Sequence, residues 1–164
     1  MILIDTHAHL YLDQFNEDRD VVIERAINQG IKKIVLPNID SQSIEPLNKL
    51  YQEHPNVIVP LVGLHPTSVN DQFETELKII SSELDKKIYA GVGEIGIDLY
   101  WDKTYLAEQH KAFHFQLDLA LHYHIPVVIH ARESFNEIFE ILQLFKNKKI
   151  KRGISCFYRK QATS

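Results

Sequence analysis

The chain has one cysteine, Cys156, so no intrachain disulfide can staple it, and that fits a reducing compartment. It also has no basic excess: 18 Lys and Arg stand against 22 Asp and Glu, for a net charge of −4. That excludes a nucleic-acid coat protein, which needs a positive field; the only basic scatter follows Lys146. It does not exclude a phosphodiester substrate, because a metal can supply the missing positive charge. The opening apolar run is broken by Asp5, and no window approaches the roughly 20 apolar residues of a membrane span. Linkers, repeats and low-complexity stretches are absent as well. These absences point to a soluble, cytoplasmic protein with no membrane partner. What remains, 164 residues of which 45% are hydrophobic, is enough for one sizeable core, so residues 1–164 read as a single domain.

Short apolar runs alternate with longer amphipathic stretches. The runs at Ile2–Thr6, Lys33–Leu36, Val57–Val62, Ile88–Val92, Val127–Ile129 and Ile150–Cys156 are expected strands, most of them continuous enough to suit a parallel sheet covered on both faces. Between them, Asn16 is positioned to cap a helix that stops at Gly30, and Ser43 to start one that ends before Pro55. Phe73, Leu77, Ile80 and Leu84 line a third, Thr104–Tyr123 is the longest, and Ser134 with Glu137 has capping-box spacing before a fifth. Six strands and five helices in strict alternation allow an open doubly wound sheet or a (β/α)8 TIM barrel. Chemistry-bearing residues at the ends of four different strands favour the barrel, whose sites gather on the C-terminal rim. A complete barrel takes about 250 residues, so this is an incomplete one, its N-terminal two-thirds.

The chemistry begins at His7 and His9, which close the first run after Asp5. Residues two apart at a strand end point the same way, and two converging imidazoles can chelate a divalent ion. The third strand end gives Val62-Gly-Leu-His65-Pro, the fourth Gly93-Glu94-Ile-Gly-Ile-Asp98, and the fifth Val127-Val-Ile-His130-Ala-Arg132. Glu94 follows a Val/Gly run where an unpaired carboxylate is expensive to bury, and a metal or a cation relieves that cost. A carboxylate able to bridge, flanked by imidazoles from other strands, is what a two-metal hydrolytic centre requires. Arg132 stands on the same side as His130, and a guanidinium can hold phosphate oxygens with two parallel hydrogen bonds. Other readings stay open for several of these: Glu94 as the partner of Arg132, His65 as a loop-shaping residue before Pro66, Asp98 as a loop brace. Tyr100-Trp101 suits base stacking or simple packing over the loop, and His110 with His114 reads as an ordinary helix pair.

Asp5-Thr-His-Ala-His9, Gly63-Leu-His-Pro66, Gly93-Glu-Ile-Gly-Ile-Asp98 and Pro126-Val-Val-Ile-His-Ala-Arg132 together resemble the successive signatures of the TatD-family metal-dependent deoxyribonucleases, in order and at the family's spacing. The resemblance implies a TIM barrel that hydrolyses DNA phosphodiesters with two divalent ions, Mg, Mn or Zn. It implies His7 and His9 on one ion, Glu94 bridging both, His130 on the second, and His65 and Arg132 on the scissile phosphate.

Two departures bear on activity. Where the family has His-Cys-Phe at the end of strand six, this chain reads Ser155-Cys156-Phe157, and a serine hydroxyl is a poor metal ligand. The family's strand-eight aspartate has no counterpart, which suggests a C-terminally truncated and impaired enzyme. Two other classes compete: a non-catalytic metal-binding remnant or interaction module that self-associates through unpaired barrel edges, and a phosphomonoesterase or amidohydrolase-type metallohydrolase.

Overall fold

The computed structural model describes residues 2–148 and the backbone of residues 152–155. Ile150, Cys156 and Phe157 from the expectations above lie outside the described residues. Within them the chain runs β1 (Leu3–Asp5), α1 (Arg19–Asn28), β2 (Ile31–Leu36), α2 (Ile44–Glu53), β3 (Ile58–Pro60), α3 (Phe73–Leu84), β4 (Val92–Asp98), α4 (Leu106–His122), β5 (Val127–Arg132), α5 (Phe135–Leu144) and β6 (Arg152–Ser155).

All strand pairs are parallel, and spatial order follows chain order: β1-β2-β3 in one sheet, β4-β5-β6 in the next. A parallel bridge between Val62 and Val92 joins the two sheets, so the strands form one continuing sequence. A doubly wound sheet reverses its order at a switch point; a barrel does not. The order seen here is that of a partial (β/α)8 barrel.

The core explains the helices. Phe73, Leu77, Ile80 and Leu84 recur at helical spacing on α3 and are all buried, as the sequence predicts. Leu47 and Leu50 of α2 and Phe113 and Leu117 of α4 face the same interior. β5 alternates: Val127, Ile129 and Ala131 are buried under helices, whereas Val128, His130 and Arg132 share the other, half-buried face. That alternation delivers His130 and Arg132 to one side of the sheet.

Three expectations need correcting. The fourth strand begins at Val92, where the sequence has it ending, and runs through Glu94 to Asp98 with all seven residues buried. Its glycines look like a turn, yet they are what lets β4 lie this close to its neighbours. A Cβ on Gly93 would press on Val128, and one on Gly96 would collide with the His130 carbonyl. Second, Asn16 does not cap α1; its side chain bridges Asp13 and Arg19, and the helix starts three residues later at Arg19. Third, the Ser134–Glu137 capping box does not form, because the Ser134 hydroxyl donates to the Ile97 carbonyl at 2.5 Å and accepts from the Arg132 amide. It braces β4 against β5 instead.

Gly96 has φ near +145°, a conformation essentially reserved for glycine, as well as no room for a Cβ. Gly96→Ala should therefore lose at least about 3 kcal/mol in urea unfolding. Gly30→Ala, with positive φ but open space around it, should lose only about 1 kcal/mol. Equal losses at the two positions would contradict this account of β4.

Candidate metal centre

Glu94 is 3% exposed and sits at the meeting point of four imidazoles. Its Oε2 lies 3.0 Å from His7 Nε2 and 3.8 Å from His9 Nε2, both on the segment after β1. Its Oε1 lies 3.1 Å from Nδ1 of His130 on β5, while His65, on the loop after β3, brings Nε2 to 3.9 Å from Oε2. The two sets are internally close: His7 and His9 Nε2 are 3.0 Å apart, and His65 Nε2 is 3.1 Å from His130 Nδ1. Glu94 is thus not paired with Arg132. His7, His9, His65 and His130 form two groups that share Glu94, and Arg132 lies on the His130 face of β5.

The elements that place these side chains are specific. Asn38, fully buried just beyond β2, reaches across the seam between the sheets. Its backbone N–H donates to the Gly93 carbonyl and its carbonyl accepts from the Glu94 N–H, at 2.9 and 3.0 Å. The Asn38 side chain is pinned in turn, its Nδ2 donating to Ser43 Oγ and to the Asp40 carbonyl. Sequence reasoning passed over Asn38; a lone amide following Pro37 at the end of an apolar strand is the only signal it leaves. The His9 ring is held by the Pro37 carbonyl and Tyr11 hydroxyl near its Nδ1, and Tyr11 itself donates to Pro37 at 2.7 Å. With the proton on Nδ1, the Nε2 lone pair faces the cluster, the arrangement that orients metal-binding histidines.

Asp98 has a larger part than a loop brace. Its Oδ2 lies 2.8 Å from His130 Nε2, while Oδ1 accepts from the backbone N–H of both Tyr100 and Trp101. Gln109 of α4 holds the Asp98 backbone at both its N–H and its carbonyl. His110 and His114 lie on α4 outside both groups, with His114 3.3 Å from Asp118, in keeping with the helix-pair reading.

The electrostatics follow from burial and crowding. Burial disfavours a charged Glu94, but hydrogen bonds from His130 and His7 outweigh it and hold the carboxyl well below the usual range. Burial and the neighbouring His130 depress His65 to about 4, and burial with His7 depresses His9. Burial also works against a charged His130, yet Glu94 and Asp98 on its two nitrogens pull its pKa up. A buried anion ringed by imidazoles, with His9 and His65 pushed toward the neutral form, is a donor set that suits cations. The spacing agrees: each group's ligand atoms lie within 4.8 Å of one another, and neighbours around an ion with ~2.1 Å bonds sit ~3.4 Å apart. His7, His9 and Glu94 could hold one ion, and His65, Glu94 and His130 another.

The depressed His65 and His9 give a signed pH effect. Below the ordinary value of 6.5 the unfolded chain takes up protons that the native state refuses, so native stability falls as pH drops from 6.5 toward about 4. His130 runs the other way, its contribution already in place below 6.5 and lost as pH rises. In EDTA the melting midpoint should therefore fall between about pH 7 and pH 5, and His65→Gln should flatten that fall. An identical slope in the variant would show that His65 is not the group responsible.

Known proteins resemble this chain in sequence and fold. The family model described as TatD related DNase matches residues 4–163. The chain is 32% identical over 142 residues to an uncharacterized metal-dependent hydrolase, YabD of Bacillus subtilis, covering 87% of this chain and 55% of that protein. It is 26% identical to a 3'-5' ssDNA/RNA exonuclease TatD of Pantoea ananatis, covering 94% and 60%. Among solved structures, the TatD homologue YjjV of Escherichia coli superposes with a TM-score of 0.80 at 27% identity, over 87% of this chain and 55% of that one. The chain thus spans about half the length of the relatives it matches. By the extent of the family match, and by the His and Glu groups that its fold brings together, the chain belongs to the TatD-related DNase family.

Proposed function

We propose that this chain hydrolyses DNA phosphodiesters with two divalent ions, Mg, Mn or Zn, at the Glu94 cluster, in a reducing cytoplasm. The observation that carries the proposal is the division of one carboxylate: Oε2 of Glu94 faces His7 and His9, and Oε1 faces His130. Divalent ions held there would supply the positive charge that offsets charge developing on the phosphate and would ease the deprotonation of a water molecule. The other parts belong to the chain itself. Asp98 fixes the His130 ring through Nε2, so that Nδ1 faces the reacting centre. Arg132, on the same face of β5, makes no ion pair with a carboxylate among the described residues. Its N–H donors are available to grip two phosphate oxygens and set the substrate's register.

His65 serves this reading in a wider role than phosphate contact alone. Its Nε2 lies within the second group, beside His130 and Glu94, so it can contribute to holding the second ion as well. Ser155 is paired in register with His130 on the neighbouring strand, at the position where the family resemblance implies a histidine, and serine is the poorer metal ligand of the two. The second position is thus the weaker of the two, and activity is correspondingly reduced. The name of the Pantoea ananatis relative, a single-stranded DNA and RNA exonuclease, supports nucleic acid as the substrate.

A saturating divalent ion that binds only the native state stabilises it by about 2.7 kcal/mol at one hundred times its Kd, or roughly 5–10 °C in melting midpoint for a chain of this size. Excess Mn²⁺ should raise the wild-type midpoint by that order and leave Glu94→Gln nearly unmoved. The same variant should hydrolyse single-stranded DNA at least ~100-fold more slowly. Metal-independent hydrolysis, or full activity in Glu94→Gln, would sink the proposal. Ser155→His, which supplies the histidine that the family resemblance implies at this register position, should raise the metal-dependent shift and the rate together. A variant that binds metal no better than the wild type would remove the reason given for the weak second position.

A further inference from the structure

Beyond the metal cluster, the turn after β4 carries two aromatic rings at the surface: Tyr100 is 44% exposed and Trp101 69% exposed. A tryptophan exposed to that degree on a folded surface leaves most of its apolar ring in water. Arg132 lies over this pair, its guanidinium carbon 3.6 Å from the Tyr100 ring centre and 5.1 Å from that of Trp101. The two rings meet edge to face at 4.9 Å. A guanidinium stacked in this way uses its flat face and keeps its N–H edge for hydrogen bonding. One arginine can therefore hold a phosphate by its edge while its face rests on the aromatic pair.

The turn is tied to the reacting centre. Both of its backbone N–H groups, on Tyr100 and Trp101, donate to Asp98 Oδ1 at 2.9 and 3.2 Å, and the other oxygen of that carboxylate meets His130. A single buried side chain thus sets the spacing between the aromatic pair and the cluster. A small cleft opens beside Trp101, lined also by Pro66, Thr67, Asp102 and Tyr105, and its far wall is the loop that begins at His65. The exposed ring, the stacked arginine and the cleft occupy one side of the cluster.

We infer that Trp101, supported by Tyr100 and Arg132, is the seat for an unpaired nucleobase, which stacks there while Arg132 holds the adjoining phosphate. The inference rests on the nuclease reading above and assigns a residue to meet the bases of a single-stranded substrate such as the name of the Pantoea ananatis relative states. In a duplex each base is already stacked and paired, so no π-face is free to meet a side-chain ring. Stacking is tolerant of sequence, since every base has such a face, so the seat selects strandedness and not base identity.

Trp101 is the only tryptophan, so its emission reports directly on the seat. The full chain in excess Mn²⁺ would be titrated with an eight-nucleotide oligothymidylate carrying slowly hydrolysed phosphorothioate linkages, and with an abasic oligomer of the same backbone. The base-bearing oligomer should quench Trp101 saturably and bind roughly 5- to 100-fold more tightly than the abasic one. By anisotropy of labelled oligomer, Trp101→Ala should lose a similar factor for the base-bearing ligand and nothing for the abasic ligand, while Trp101→Phe keeps most of the preference. Equal affinity for the two oligomers, or Trp101→Ala binding like the wild type, would overturn the seat and leave the nuclease reading standing. No saturable binding of either oligomer would overturn both.

Discussion

One buried anion organises this molecule. Glu94 lies inside a fully buried strand, among residues that are otherwise Val, Ile, Gly and Asp. A carboxylate there without partners would cost several kcal/mol, so the surrounding structure has to answer its charge. It does so with imidazoles drawn from three separate segments, after β1, after β3 and on β5. The strand order of a barrel is what makes this possible. Parallel strands placed side by side in chain order bring their C-terminal ends to one rim, so residues far apart in sequence arrive at a common point.

Around that point the polar contacts form layers, each holding the next in position. Asn38 fixes the backbone of Glu94, and Ser43 and Asp40 fix Asn38. Gln109 fixes Asp98, which fixes His130 on one side and the aromatic turn on the other. Ser134 ties the Ile97 carbonyl to the Arg132 amide. None of these supporting residues needs to meet a substrate, yet each removes freedom from one that would. A site of this kind is specified as much by buried amides and hydroxyls as by its histidines.

Much of this was legible in the sequence, and the parts that were not share a cause. The His7/His9 pair, the β5 histidine and the apolar stripe of α3 follow from periodicity, which is a local property. The limits of β4 were misread because Gly93 and Gly96 resemble turn residues, whereas their purpose is set by Val128 and His130 on a strand more than thirty positions away. Ser134 satisfied a capping rule on paper, but tertiary structure offered its hydroxyl the Ile97 carbonyl instead. Asn38 and the double attachment of Asp98 left almost no local trace, because their partners are defined only once the sheets have met. The family resemblance pointed to the histidines and the glutamate that converge here; it gave no account of what holds them.

The seam between the two sheets has a consequence for how the ion positions would open. Its backbone contacts are few, those of Asn38 with Gly93 and Glu94 and of Val62 with Gly91 and Gly93, together with Ala90 on the Pro60 carbonyl, and the Gln116 side chain adds two hydrogen bonds to the Leu64 backbone. The ladder of backbone hydrogen bonds is thinnest here, and local opening favours places where little backbone pairing has to be broken. Parting at the seam would separate Glu94 from His7, His9 and His65 while leaving it joined through β4 and β5 to His130. The first group would lose both its histidines, and the second would keep one of its two. An ion held at the first would be free to leave whenever the seam opened, whereas one at the second would stay tethered to Glu94 and His130.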